Sequence, residues 1–170
     1  MHKPLGILAG VLAIAVVGYY GWRLLSADRP PAPGELARAA IRADSAEERE
    51  QAAVHLAQLG KPAREYVVQV LAESKQPEVR AACIRGLADQ WAYRQMAVLL
   101  DALEDESLLV RAQAGEAVQL LLKVEYGFNA HDPPEQRREV VKQLRERWKD
   151  FPNSKICMAF VREKEGDDYP

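Results

Sequence analysis

The sequence predicts an all-α chain: an α-solenoid of three helical hairpins with a 31-residue period and a C-terminal capping helix, preceded by an N-terminal transmembrane helix. The first observation is the recurrence of Arg49, Arg80 and Arg111. Each is followed three residues later by a small apolar side chain (Ala52, Cys83, Ala114) and seven later by a larger one (Leu56, Leu87, Val118). That spacing lines one face of a helix. The second observation is a matched apolar set ahead of each arginine. It starts thirteen residues upstream with Leu36, Val67 and Val98 and runs through Ala37/Val68/Leu99, Ala40/Leu71/Ala102 and Ile41/Ala72/Leu103. Third, alanine, leucine, glutamate, glutamine and arginine dominate and threonine is absent, a composition that favours helix over strand. A repeated helical hairpin cannot bury its apolar face alone, so stacked copies must share one core.

In chain order, Pro4 to Trp22 are nineteen residues without a charge, rich in Leu, Ile and Val, long enough to span a bilayer. Tyr19, Tyr20 and Trp22 followed by Arg23 are the aromatic and basic anchors expected at a membrane edge. Residues 4–25 therefore read as a single-pass anchor. A cleaved signal peptide competes with that reading but lacks a small-x-small cleavage site. The charge count, Lys3 before the span against Arg23, Arg29, Arg38 and Arg42 after it, favours a cytoplasmic solenoid. The short basic N-terminus has a signal-like layout instead, so the side of the membrane stays open. Gly6 and Gly10 form a small-xxx-small pair that could join two anchors into a homodimer.

Residues 26–34, with three prolines and a glycine, suit a short stiff linker. The repeats occupy 35–124. Ser45 and Glu48 have capping-box spacing at the start of the first arginine-bearing helix; Gly60 and Pro62 end it. Pro77 starts the second such helix, and Glu104 to Ser107 forms the third turn. The period breaks after Leu122. Residues 125–151 read as a loop, Tyr126 to Asp132, and a capping helix that starts at Asp132 in a D-x-x-E cap completed by Glu135. Val140, Val141, Leu144 and Trp148 are its apolar stripe. Residues 152–170 read as an acidic, partly mobile tail.

The V-R-x-x-A/C-x-x-x-L/V text at Val79 to Leu87 and Val110 to Val118 resembles the second helix of a HEAT repeat, and the period is similar to the short HEAT-like repeats named for phycobilisome lyases. The segment from Tyr126-Gly127-Phe128 to Arg147-Trp148 also resembles a C-terminal segment of bacterial HEAT-repeat proteins. The resemblance implies that each structural repeat arginine pairs with an acidic residue in the preceding turn: Asp44 for Arg49, Glu106 for Arg111. Lys75 occupies that position before Arg80, a departure that passes the rung to Glu78 or to a neighbouring repeat. Tetratricopeptide repeats, with a longer period and a tryptophan-leucine-glycine signature, fit less well.

No recognisable nucleophile, phosphate-loop, dinucleotide or metal-ligand motif is present, so the sequence implies no catalytic residue, no cofactor and no metal site. Cys83 lies in a core column. His55 reads as a surface or groove histidine, and His131 as a loop-ordering one. Formal net charge is -2, without the basic footprint of a nucleic-acid binder. Arg137, Arg138, Lys142, Arg145, Arg147 and Lys149 share the last helix with Glu135, Glu139 and Glu146, the mixed charge of a solvated helix. Tyr66, Trp91 and Tyr93 read as packing between hairpins. What remains is surface: by helical phase Gln51, His55, Arg85, Asp89, Gln113 and Glu116 face away from the core and form the candidate partner-binding surface. The expectation is a membrane-anchored, non-catalytic scaffold for a protein partner. The lyase-type resemblance supplies the alternative, an accessory lyase or chaperone that holds a chromophore or cofactor for a client protein.

Overall fold

The computed structural model describes residues 30–151 and 154–166. The expected anchor at 4–25, with Gly6 and Gly10, lies outside them. The chain divides between Ala32 and Pro33, and every helix described below belongs to the unit that begins at Pro33. All regular structure among the described residues is helical: α1 (Pro33–Arg42), α2 (Ala46–Gln58), α3 (Arg64–Glu73), α4 (Pro77–Asp89), α5 (Met96–Ala102), α6 (Leu108–Leu122), α7 (Pro134–Asp150) and α8 (Lys155–Glu165). None of these is long and apolar enough to cross a membrane.

Consecutive helices pair, α1 with α2, α3 with α4 and α5 with α6, while the second helices α2, α4 and α6 pack in a row and α1 packs on α3. The apolar columns explain the pairing. Leu56, Leu87 and Val118 are fully buried, as are Ala52, Cys83 and Ala114 or nearly so. In the upstream set, Leu36 and Val67 are buried and Val98 is half-buried; Ala72 is exposed near the end of α3, where Leu103, its equivalent one period on, is buried.

Punctuation follows local chemistry. Pro33 and Gly34 already belong to α1, so the linker is shorter than the proline count suggested; proline fits a helix's first turn, where its missing N–H costs nothing. The Ser45 hydroxyl accepts from the Glu48 amide at 3.0 Å, and the Glu48 carboxylate accepts from the Ser45 amide, a reciprocal capping box. Gly60 leaves the first hairpin at φ 77°, and Lys61–Ala63 form a 3-10 turn before α3.

One expectation fails at the C-terminal end, and one helix goes unread by sequence. Helix α7 begins at Pro134 with Pro133 at its N-cap and no side-chain cap. Asp132 stands one residue too early for its carboxylate to reach the first amides, and its carbonyl instead accepts from Arg137. Residues 155–165, read from sequence only as part of a partly mobile tail, form α8. The Ser154 hydroxyl accepts from the Cys157 amide to cap it. Helix α7 packs on α5, with Val141 and Leu144 buried, and α8 packs on the 3-10 turn Tyr93–Gln95.

Candidate binding surface

The three repeat arginines do one structural task. Each arginine donates through Nη1 to the carbonyl six residues before it, in the turn that joins the two helices of its hairpin: Arg49 to Ala43, Arg80 to Ser74 at 3.1 Å and Arg111 to Asp105 at 2.8 Å. The other arm reaches forward. Arg49 meets the Gln76 side chain, Arg80 grips both carboxylate oxygens of Asp105 at 2.9 and 2.8 Å, and Arg111 donates to the Ala130 carbonyl at 3.1 Å. The middle rung thus goes to the next hairpin, one of the two destinations left open by Lys75. Asp44 and Glu106 serve Arg49 and Arg111 through backbone carbonyls rather than through carboxylates. Bidentate arginine–carboxylate pairing is the most directional of these contacts, so the joint between the second and third hairpins is the most tightly specified.

Gly86 fixes how closely α2 and α4 approach: a Cβ placed there would lie 2.2 Å from the Ala57 Cβ. The column of Gly86 therefore faces the preceding hairpin. Its members are His55, Gly86 and Ala117. Gly86 and Ala117 are buried, whereas His55 is exposed, because among the described residues no earlier hairpin lies against α2. Gln51 holds the column of Ala82 and Gln113, and its side chain bonds Glu47 of its own helix at 3.1 Å. The six predicted surface residues consequently separate. His55 belongs to the end of the stack, while Gln51 keeps the phase of Gln113 on the first hairpin. Arg85, Gln113 and Glu116 are brought together on its flank: Arg85 donates to Gln113 at 3.0 Å across α4 and α6, and Gln113 donates to Glu116 at 3.2 Å. Asp89 is exposed one turn after Arg85 and lines the same groove.

The flank continues onto residues the sequence reading did not select. A groove of about 260 Å³ between α2 and α4 is floored by Ala57, Ala82 and Gly86 and walled by Val54, Arg85 and Asp89. Beyond Glu116, a second concavity is edged by Leu120, Lys123 and Val124. Val54, Leu109, Leu120 and Val124 expose 37%, 45%, 39% and 48% of their surfaces. The 31-residue columns carry the signal that could have found them: Val54/Arg85/Glu116, Glu47/Glu78/Leu109 and Gln58/Asp89/Leu120.

The loop after α6 closes the far end. The Tyr126 hydroxyl donates to the Gly115 carbonyl at 2.7 Å, and Phe128 fills the space that a side chain at Gly115 would need, 3.1 Å from the position of its missing Cβ. Burial holds the Tyr126 phenol above its usual range. This loop and α6 border a cleft of about 430 Å³ that takes in Glu116 and His131.

The buried charges lie elsewhere, at a junction legible only in three dimensions. Glu165 of α8 pairs with Arg64 of α3, both almost fully buried, and Arg64 also donates to the Gln90 side chain at 3.0 Å. Gln90 in turn donates to the Ala57 carbonyl at 2.7 Å. Around this pin, Trp91 meets Phe160 edge-on at 5.7 Å, and the Tyr93 ring stacks near Trp148 and Phe151. Tyr93 is buried, donates to the Leu121 carbonyl at 2.8 Å, and has its phenol pushed up to about 12 by burial and then by the negative charges of Cys157 and Glu165. Tyr93 and Trp91 are thus packing residues, while Tyr66 is 40% exposed. Comparison of the chain with family models, with curated proteins and with solved structures finds no match.

Proposed function

We propose that the chain is a membrane-anchored, non-catalytic scaffold, a HEAT-like solenoid of three hairpins that binds a protein partner along the flank of its second helices. The observation that carries this reading is the continuous surface from Val54 through Arg85 and Glu116 to Leu120, in which a polar bridge between helices is flanked by exposed aliphatic side chains. A stack needs only polar residues on such a flank for solubility. Clustered aliphatic exposure beside a polar network is the composition of an interaction surface. The strongest buried charges, Arg64 with Glu165 and Arg80 with Asp105, are consumed in joining helices, which leaves the flank to carry function.

The test is co-purification from detergent-solubilised membranes with the wild-type chain and with an Arg85→Glu/Glu116→Lys variant. The reading predicts a partner protein recovered with the wild type and lost with the variant while the variant's helix content is unchanged. A partner retained equally by both would remove the flank from the function.

A further inference from the structure

Deepening that reading, we infer that the flank takes a basic, amphipathic helical segment of the partner protein, lying across α2, α4 and α6. The inference rests on the scaffold reading and on two observations about the flank itself.

The first is where the aliphatic side chains fall. Leu109 occupies the column of Glu47 and Glu78, and Leu120 the column of Gln58 and Asp89. Two polar columns thus turn apolar in the third hairpin. Neither leucine is recruited to the core, since they expose 45% and 39% of their surfaces. At the opposite end of the flank, the groove beside Val54 has an apolar floor because Gly86 and two alanines line it. Leu109 lies in the first turn of α6 and Leu120 in its last, about 16 Å apart along the helix, so a crossing helix reaches Leu120 and Val124 rather than Leu109. The groove beside Val54 and the Leu120–Val124 edge are then two apolar footholds on either side of the Arg85–Gln113–Glu116 bridge, and they fit an incoming helix with apolar residues at both ends of one face. Neighbouring helices pack roughly 8–10 Å apart, so crossing from α2 to α6 requires roughly 16–20 Å. At 1.5 Å per residue that is about 11–13 residues of helix.

The second observation is charge. Glu47, Glu78, Asp89, Glu116 and Glu125 lie on or beside this surface, against Arg85 and Lys123. Arg85 bonds the neutral Gln113 side chain and keeps its charge, so the surface sets five carboxylates against two cations. An acidic surface with apolar footholds selects a partner segment with lysine or arginine on its rim and leucine-like residues on its face, and disfavours an acidic one.

The probe is a fluorescent, photo-crosslinkable 18-residue Lys/Leu amphipathic helix. It is titrated against the full chain in zwitterionic phosphatidylcholine nanodiscs, with empty nanodiscs as reference and a Glu/Leu helix of the same pattern as counterpart. The inference predicts saturable binding of the Lys/Leu probe alone, crosslinks to residues 54–58, 85–89 and 116–124, and at least a tenfold loss of affinity in Leu120→Glu/Val124→Glu. The sign of that last effect decides the matter. Added carboxylates strengthen a nonspecific attraction for a cationic peptide but remove an apolar foothold. Unchanged or tighter binding by the variant therefore overturns the inference, as does no binding, equal binding of the Glu/Leu helix, or crosslinks elsewhere. Asp89→Lys/Glu116→Lys, which leaves Leu120 and Val124 in place, must also weaken the Lys/Leu probe. Should the probe fail while the wild-type chain still co-purifies a protein through the flank, this inference falls and the scaffold reading stands; if both fail, so does the scaffold reading.

Discussion

Replacing Gly86 with alanine tests the packing of the second helices, because two effects of known size oppose each other there. In a solvated helix the change stabilises, since alanine is favoured over glycine by about 1 kcal/mol. At Gly86 the new Cβ would lie 2.2 Å from the Ala57 Cβ, whereas carbon atoms rest at roughly 3.5–4.0 Å. Helices α2 and α4 must separate by about 1.3–1.8 Å to restore that contact. Separation disturbs the fully buried Leu56 and Leu87 alongside. Overpacking of a tight core costs about 1–3 kcal/mol, so after the helix preference is subtracted the net effect runs from about zero to a destabilisation of about 2 kcal/mol. For a unit of this size that lowers the melting temperature by up to roughly 8 °C, measured by circular dichroism of the full chain in mild detergent. The partner substitution sharpens the test. With Ala57→Gly in place, a Cβ at position 86 meets the residue 57 Cα at 3.4 Å, an ordinary contact, and Gly86→Ala should then become neutral or stabilising. If Gly86→Ala raises the melting temperature in the wild-type background, α2 and α4 do not pack as described.

Other sites give independent checks. Leu87→Ala, at a fully buried central position, should cost about 2–5 kcal/mol in urea unfolding; no loss would mean that the repeat columns are misassigned. Glu165→Ala leaves the buried Arg64 charge without its carboxylate, and removal of one member of a buried pair costs about 3–5 kcal/mol if the structure stays closed. Release of α8 avoids that cost, so hydrogen exchange should accelerate across 155–165 while α4 and α6 stay protected; equal exchange in α8 of both proteins would deny the pin. Burial raises the Tyr93 phenol from 10.0 to about 12 and raises Tyr126 as well. The stability this contributes is whole below pH 10, where neither state ionises, and is lost as the pH rises through about 12. Alkaline unfolding should therefore accompany the late phenolate absorbance, and phenolates that all form well before unfolding would contradict it. Cys83 is buried, with its thiol pushed up to about 12 by that burial, whereas Cys157 is half-exposed. One thiol should react with a disulfide reagent in the native protein and the second only on unfolding.

The elements most legible in the sequence were those fixed by local chemistry or by the period. Ser45 and Glu48 cap α2 because both halves of the device lie within one turn, and Leu56, Leu87 and Val118 are buried because the period repeats their surroundings. The period also misled where surroundings do not repeat. His55 has the phase of Gly86 and Ala117 but stands on the end of the row, so equivalence in sequence is not equivalence in exposure. At the opposite end, Leu109 and Leu120 keep the phase of glutamate and aspartate, a mismatch visible in the columns but meaningful only once their exposure is known. Trp91 adopts φ 54° where the first hairpin uses Gly60 at φ 77°; a residue of that bulk gives no left-handed signal, and Phe160 supplies its packing from α8. The Arg64–Glu165 pin lay beyond sequence reasoning altogether, because its partners come from α3 and α8 and neither has a local motif.

The central claim is that the second-helix flank holds a protein partner. Its most direct test places a photo-crosslinking amino acid in living cells at Gln58, Asp89 or Leu120 on the flank, and at Gln69 or Gln143 on other exposed faces. The account predicts a discrete protein adduct from the flank positions that is absent from the other two. No adduct from the flank, or the same adduct from every position, would contradict it.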